Sequence, residues 1–202
     1  MARETIACEE CNSLMSVRAR LVPSYTTCRW LLIPVVTMHN AEEWVAEPHY
    51  GSISPMLQTR VMGFVAPPPI EVLHIGWIIV TLIPALIVVS AASAGRSRML
   101  NWLVCWVACA YLANALVPHL LEFAMSRSYA PGVVTAGFIV LPFAFVLLRR
   151  AVVEQYLSAG QLVAAISAAV VSQVLVVAAI YAIASALTAQ NQIANDWFCS
   201  CA

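Results

Sequence analysis

The sequence predicts an all-α protein, a polytopic transmembrane bundle of about five helices with an interfacial helix in the first outer loop. Three observations carry this expectation. Of the 202 residues, 62% are hydrophobic and only 10% are charged, against about a quarter charged in a soluble domain. Five apolar stretches approach the roughly 20 residues that cross a bilayer core. The ten basic residues, all arginine, fall mostly between those stretches. The net charge is zero, with no lysine, so neither a nucleic-acid surface nor a polybasic lipid anchor is indicated.

Taken in order, the spans are 28–45, 72–94, 100–123, 133–148 and 160–187. The first is an apolar run interrupted near its end by TMHNAEEWVAEPH. The second, third and fourth are predominantly apolar, and SAGRSR and SRSYAPG separate them with Gly, Pro and Arg, the residues that punctuate helices. The fifth follows LRRAVVEQ and is rich in Ala and Ser, which lets helices approach closely. Gln173 near its middle is a candidate interhelical hydrogen-bond donor, and the helix is assigned to packing. Between the first two spans, SPMLQTRVMGFV is too short and polar to cross and precedes Pro67, Pro68 and Pro69. It reads as an interfacial helix closed by a rigid turn, placed to act as a lid or as a plain amphipathic connector.

With the N-terminus inside, Arg3, Arg18, Arg20, Arg29, Arg96, Arg98, Arg149 and Arg150 are cytoplasmic, and only Arg60 and Arg127 are outside. The positive-inside rule favours that orientation in the cell (inner) membrane. Residues 1–27 then form a cytoplasmic or interfacial arm, 28–190 the membrane domain and 191–202 a short extracytoplasmic tail. Glu4, Glu9 and Glu10 precede any apolar run, so the arm is not read as a signal peptide.

This topology gathers the ionisable residues. At about 1.5 Å per residue His39 lies roughly 15 Å beyond Arg29, near mid-membrane, with Glu42 and Glu43 a turn higher. Glu71 and His74 open the second span, and His119 and Glu122 close the third. Each group pairs a His with a carboxylate three or four positions away, on one helix face. An ionised side chain at the bilayer centre costs about 2.5 to 3.5 kcal/mol on insertion scales. Mutual His–Glu pairing satisfies any one group, and Glu71 and Glu122 can rest at headgroup level. Three converging groups point instead to a buried polar site. Facing each other in a bundle, they would form a nitrogen and carboxylate cage.

The expected metal ligands are His39, Glu43, His74 and His119, for a divalent ion such as Zn, Fe or Mn with one position open. The expected catalytic groups are Glu42, Glu43 and Glu122. His39 and Glu43, about 40° apart around the helix axis, should point inward. His119 and His74 should face them, with Glu122 or Glu71 orienting a histidine. A separation above about 12 Å between the His39 and His119 rings exceeds what an ion and one water can bridge.

The stretches HNAEE (39–43), NALVPHLLEF (114–123) and YAPGVVTAGFIVLP (129–142), in that order, resemble the HXXEE-domain family of small bacterial membrane proteins over about residues 29–150. The resemblance implies a polytopic membrane protein with catalytic His and Glu residues, without naming a reaction. The motif maps onto His39, Glu42 and Glu43, and the downstream histidine onto His119.

The cysteines carry less. Cys8 and Cys11 form a lone C-x-x-C, with only Cys28 near enough to add a ligand, and read as reduced thiols. Cys199 and Cys201 fall on the outer side, where they can oxidise or pair with another chain. Cys105 and Cys109, one turn apart, read as small core residues.

Three function classes follow. The first is a membrane-embedded hydrolase or oxidoreductase, metal-dependent or acid/base, acting on a membrane lipid or lipophilic small molecule. The second is a proton or ion transporter, disfavoured by the lack of an internal repeat and of polar groups in the inner half. The third is a non-catalytic subunit, as a homo-oligomer or with a membrane-complex partner.

A reporter fused after Ala202 should be active only on the outer side of the membrane; activity confined to the cytoplasm overturns the topology.

Overall fold

The computed structural model describes residues 23–50 and 70–200, and among them every regular element is helical. Five rods emerge. The first is α1 (Tyr25–Tyr50) and the second α2 (Ile70–Ser93). The third runs through α3 (Arg98–Asn114), a π-helical segment (Ala115–Leu120) and α4 (Leu121–Ser126). The fourth runs through α5 (Val133–Thr135), a second π-helical segment (Ala136–Val140) and α6 (Leu141–Val153), and the fifth is α7 (Ala159–Ser200). The expected interfacial helix of 54–65, Pro67 to Pro69, Cys8, Cys11 and Cys201 lie outside the described residues, as does the side chain of Cys199.

Three rods, Ile70–Ser93, Arg98–Ser126 and Val133–Val153, are long and apolar enough to cross a membrane. The protein is therefore a helical bundle with membrane-spanning rods. The α1 rod has the length, but Arg29, Glu42, Glu43 and Glu47 dilute its apolar run. The α7 helix extends past the expected end at 187, because AQNQIAND contains neither Gly nor Pro to stop it.

The core explains the assembly. Tyr25, Cys28, Leu32 and Val36 are buried on α1, at the three- and four-residue spacing of one helix face. They pack with Val88 and Ala91 of α2, Val104, Cys105 and Ala108 of α3, and Leu147 and Ala151 of α6. Small Ala165 and Ala169 seat α7 in the same cluster, as the Ala-rich sequence led one to expect. Trp106 Nε1 donates to Ser172 Oγ across that interface at 3.0 Å. Continued along α1, the buried stripe reaches His39, Asn40 and Glu43.

Polar pins fix the rods in register. At the Arg-rich end, the Tyr25 hydroxyl donates to Asn101 Oδ1 (3.0 Å), and Arg29 Nη1 donates to the same oxygen (3.3 Å) and to the Ala91 carbonyl (2.9 Å). That carbonyl lies in the last turn of α2, where the helix dipole favours a cation. The Glu154 carboxylate accepts from the first backbone N–H of α1, at Tyr25 (2.9 Å), satisfying a donor the helix leaves open. Halfway along, Asn40 Nδ2 donates to Thr81 Oγ1 (2.7 Å) and the Tyr111 hydroxyl (3.1 Å), tying α1 to α2 and α3.

The third rod breaks ahead of His119. Pro118 lacks an N–H and excludes the helical region for its predecessor, and Val117 is extended (φ −136°, ψ 109°). The segment around this break packs against the π-helical segment of the fourth rod.

Asn101 is fully buried and serves Tyr25, Arg29 and the Gly95 and Ser97 carbonyls. Asn101→Ala should therefore destabilise the bundle by about 1–3 kcal/mol, the penalty for stranding buried polar partners, read as a lowered Tm in detergent. An unchanged Tm contradicts the assignment.

Candidate functional site

His39 lies one turn before Glu43 on the inward stripe of α1 and is fully buried. The Pro118 break places His119, also buried, opposite them. The two imidazoles meet edge to face with centroids 4.9 Å apart. Glu43 Oε1 stands 2.7 Å from His119 Nε2 and 3.5 Å from His39 Nε2. One ligand atom from each of the three residues lies within 4.8 Å of the others, and no other such group of three occurs among the described residues. This is a two-histidine, one-carboxylate set of the type that holds zinc or iron with positions left open.

Other side chains close around it. Asn114 Nδ2 sits 3.3 Å from His39 Nε2 and 3.1 Å from His119 Nε2, bridging the imidazoles from α3. Trp77 of α2 is a further hydrogen-bonding neighbour of the Glu43 carboxylate. Gly132, which starts the fourth rod with φ +84°, forms the floor. A Cβ there would stand 2.9 Å from His119 Cε1, 3.0 Å from Glu43 Cγ and 3.1 Å from Glu43 Oε1.

Glu42 faces the fourth rod. Its Oε1 accepts from the Tyr129 hydroxyl (2.7 Å) and the Val134 N–H (3.2 Å), and its Oε2 accepts from the Thr135 N–H (2.7 Å) and the Thr135 hydroxyl. The Thr135 oxygen in turn lies 2.9 Å from His39 Nδ1.

The sequence-derived candidates therefore divide. His39, Glu43 and His119 come together, and Glu42 is anchored beside them. His74 is outside the group. Its ring stacks on Trp44 (centroids 3.8 Å, planes 9° apart) and lies 5.6 Å from Trp77, with Nε2 buried and without a hydrogen-bond partner among the described residues. Glu71 is exposed in the first turn of α2, and Glu122 stands in the first turn of α4, outside the group. Asn114, Trp77, Gly132 and Thr135 complete the site without having been singled out. A Pro-Gly pair after Tyr129 and a Pro directly before His119 were the available signals.

A family model described as "Protein of unknown function with HXXEE motif" matches residues 30–147, more than half the chain. The match takes in the motif, Asn114, His119 and the 129–135 segment. No curated protein and no solved structure matches the chain.

Gly132 provides a test with an internal control. Both Gly132 and Gly95 have positive φ, but a Cβ at Gly95 meets nothing within 4 Å. Gly95→Ala should cost only the left-handed backbone penalty of about 1–2 kcal/mol. Gly132→Ala should cost more, because the added methyl must also displace His119 and Glu43. Equal Tm losses in the two variants would mean that Gly132 does not form the floor.

Proposed function

The chain belongs to the HXXEE-motif family, and we propose that it is a membrane-embedded enzyme whose centre is formed by His39, Glu43 and His119. In this reading the two Nε2 atoms and one Glu43 oxygen hold a single divalent cation, Zn, Fe or Mn, and a remaining position admits water or substrate. Such a cation polarises a substrate carbonyl or acidifies a bound water, which serves a hydrolase or, with iron, an oxidoreductase. The substrate is a lipid or other lipophilic molecule, because His39 and Glu43 of α1 face His119 on a rod of membrane-crossing length and apolarity.

The observation that carries the proposal is the convergence of three ligand atoms from two rods. The ion-pair partners of Glu43 among the described residues are both histidines, so its charge is balanced by a proton or a metal. The residues divide the work accordingly. His39 and His119 supply nitrogen donors, Glu43 supplies the charge, Asn114 holds the imidazoles at a fixed angle and Gly132 leaves room below them.

A metal-free version rests on the 2.7 Å contact between His119 Nε2 and Glu43 Oε1. A proton shared along that contact makes the pair a general acid and base with the same residues.

Metal analysis of the detergent-purified full chain separates the versions. The wild type should hold about one Zn, Fe or Mn per chain, and His39→Ala, His119→Ala and Glu43→Gln should each lose it, since three ligands are the minimum for such a site. A metal-free wild type after growth with supplemented Zn, Fe and Mn overturns the metal reading in favour of the acid/base pair.

A further inference from the structure

The adjacent glutamates of the motif have different surroundings, and the difference assigns them different work. Successive residues on a helix are about 100° apart, so Glu43 reaches the imidazoles while Glu42 reaches the fourth rod. Both Glu42 oxygens are already engaged, by four donors on Tyr129, Val134 and Thr135. An ionised carboxylate offers about four acceptor sites. Glu42 therefore has little capacity left to take a proton from a substrate or to bind an ion.

We infer that Glu42 is a positioning residue that acts through Thr135, setting which nitrogen of His39 carries the proton. The Thr135 hydroxyl has one hydrogen, and the acceptors within reach are Glu42 Oε2, the Gly132 carbonyl at 3.2 Å and, if it bears a lone pair, His39 Nδ1 at 2.9 Å. The charged acceptor is the strongest of the three. With the hydrogen on Glu42, the Thr135 oxygen presents only lone pairs to His39 Nδ1. Two lone pairs at that distance repel, so Nδ1 bears the hydrogen and donates it to Thr135. A neutral imidazole has one N–H, which leaves Nε2 as a lone pair. That lone pair faces Asn114 Nδ2 at 3.3 Å and Glu43 Oε1 at 3.5 Å, the corner where His119 also arrives.

The result is a carboxylate–hydroxyl–imidazole relay. It has the same effect as the direct carboxylate–histidine contact common behind metal-bound histidines, with one hydroxyl interposed. This assignment gives the HXXEE spacing a physical meaning: the first Glu sets the histidine's tautomer and the second joins it in the site. It rests on the proposed function only in treating Nε2 as the working atom of His39, and its test needs no metal.

The test is nitrogen NMR on the full chain in lipid bilayers, stripped of metal, labelled with ¹⁵N-histidine and held at a pH where the imidazoles are neutral. The His39 signals are assigned by their loss in His39→Gln. In the wild type, His39 should show a protonated Nδ1 and a lone-pair Nε2. Thr135→Val should reduce the population of this tautomer several-fold, and Thr135→Ser should restore it. A wild-type His39 protonated at Nε2 overturns the proposal. So does a Thr135→Val variant with the wild-type tautomer. If Thr135→Val does not fold, the wild-type spectrum and Thr135→Ser decide, because Ser must retain the tautomer.

A Zn titration of the same samples keeps the two readings apart. Tight Zn binding by a His39 that carries its proton on Nε2 in the stripped protein refutes the relay but leaves the metal centre. The Nδ1–H tautomer in a protein that binds no Zn does the reverse. Where both hold, Thr135→Val should weaken Zn binding about 10- to 100-fold, the usual cost of losing such a partner, while Thr135→Ser stays close to the wild type.

Discussion

Hydrocarbon offers no hydrogen bonds, so a polar side chain buried at membrane depth is stabilised by a partner within the protein. That constraint organises this bundle around α1. Its inward stripe runs through Tyr25, Arg29, His39, Asn40 and Glu43, with Glu42 beside it, and each finds a partner on a different rod. Tyr25 and Arg29 meet Asn101 on α3, Asn40 meets Thr81 and Tyr111, Glu42 meets 129–135, and Glu43 meets His119. Apolar packing alone could slide by a turn at modest cost. These pins cannot, because a slip would strand several buried polar groups together.

The sequence revealed the rods because apolar length is one-dimensional information. It also revealed that His39, Glu43 and His119 belong together, since ionisable groups within apolar segments need one another. His74 shows the limit of such reasoning. Its spacing from Glu71 told which face of α2 it occupied, but not that Trp44 would stack on that face. The neutral groups were harder to read. Asn114 and Thr135 are common in helices that do nothing chemical, and their importance arises only from distances to His39 and His119. The separate surroundings of Glu42 and Glu43 depended likewise on what the fourth rod presents.

Two local irregularities show how local chemistry feeds the site. Pro118 forbids a regular helix at Val117, and the residue it displaces is His119. Gly132 opens the fourth rod with a positive φ that only glycine adopts without penalty, and the same atom-poor position receives Glu43 and His119. In both cases a residue that spoils helix propensity stands within three positions of a site residue. Local irregularity here marks where the bundle gives up regular hydrogen bonding to aim a side chain.

Charge then limits what the centre can be. Glu43 lies fourteen residues beyond Arg29 on α1, about 21 Å along the axis, and Arg29 is already held by Ala91 and Asn101. Its ion pairs among the described residues are with two imidazoles, which are neutral unless a proton is added. Asn114 supplies an amide nitrogen to both Nε2 atoms, an arrangement that suits lone pairs at each. A lone pair on His119 Nε2 cannot rest 2.7 Å from a carboxylate oxygen without a positive charge between or beside them. With lone pairs on both Nε2 atoms the corner would suit a cation; with the hydrogen on His119 Nε2, that nitrogen donates to Glu43 and no cation is required.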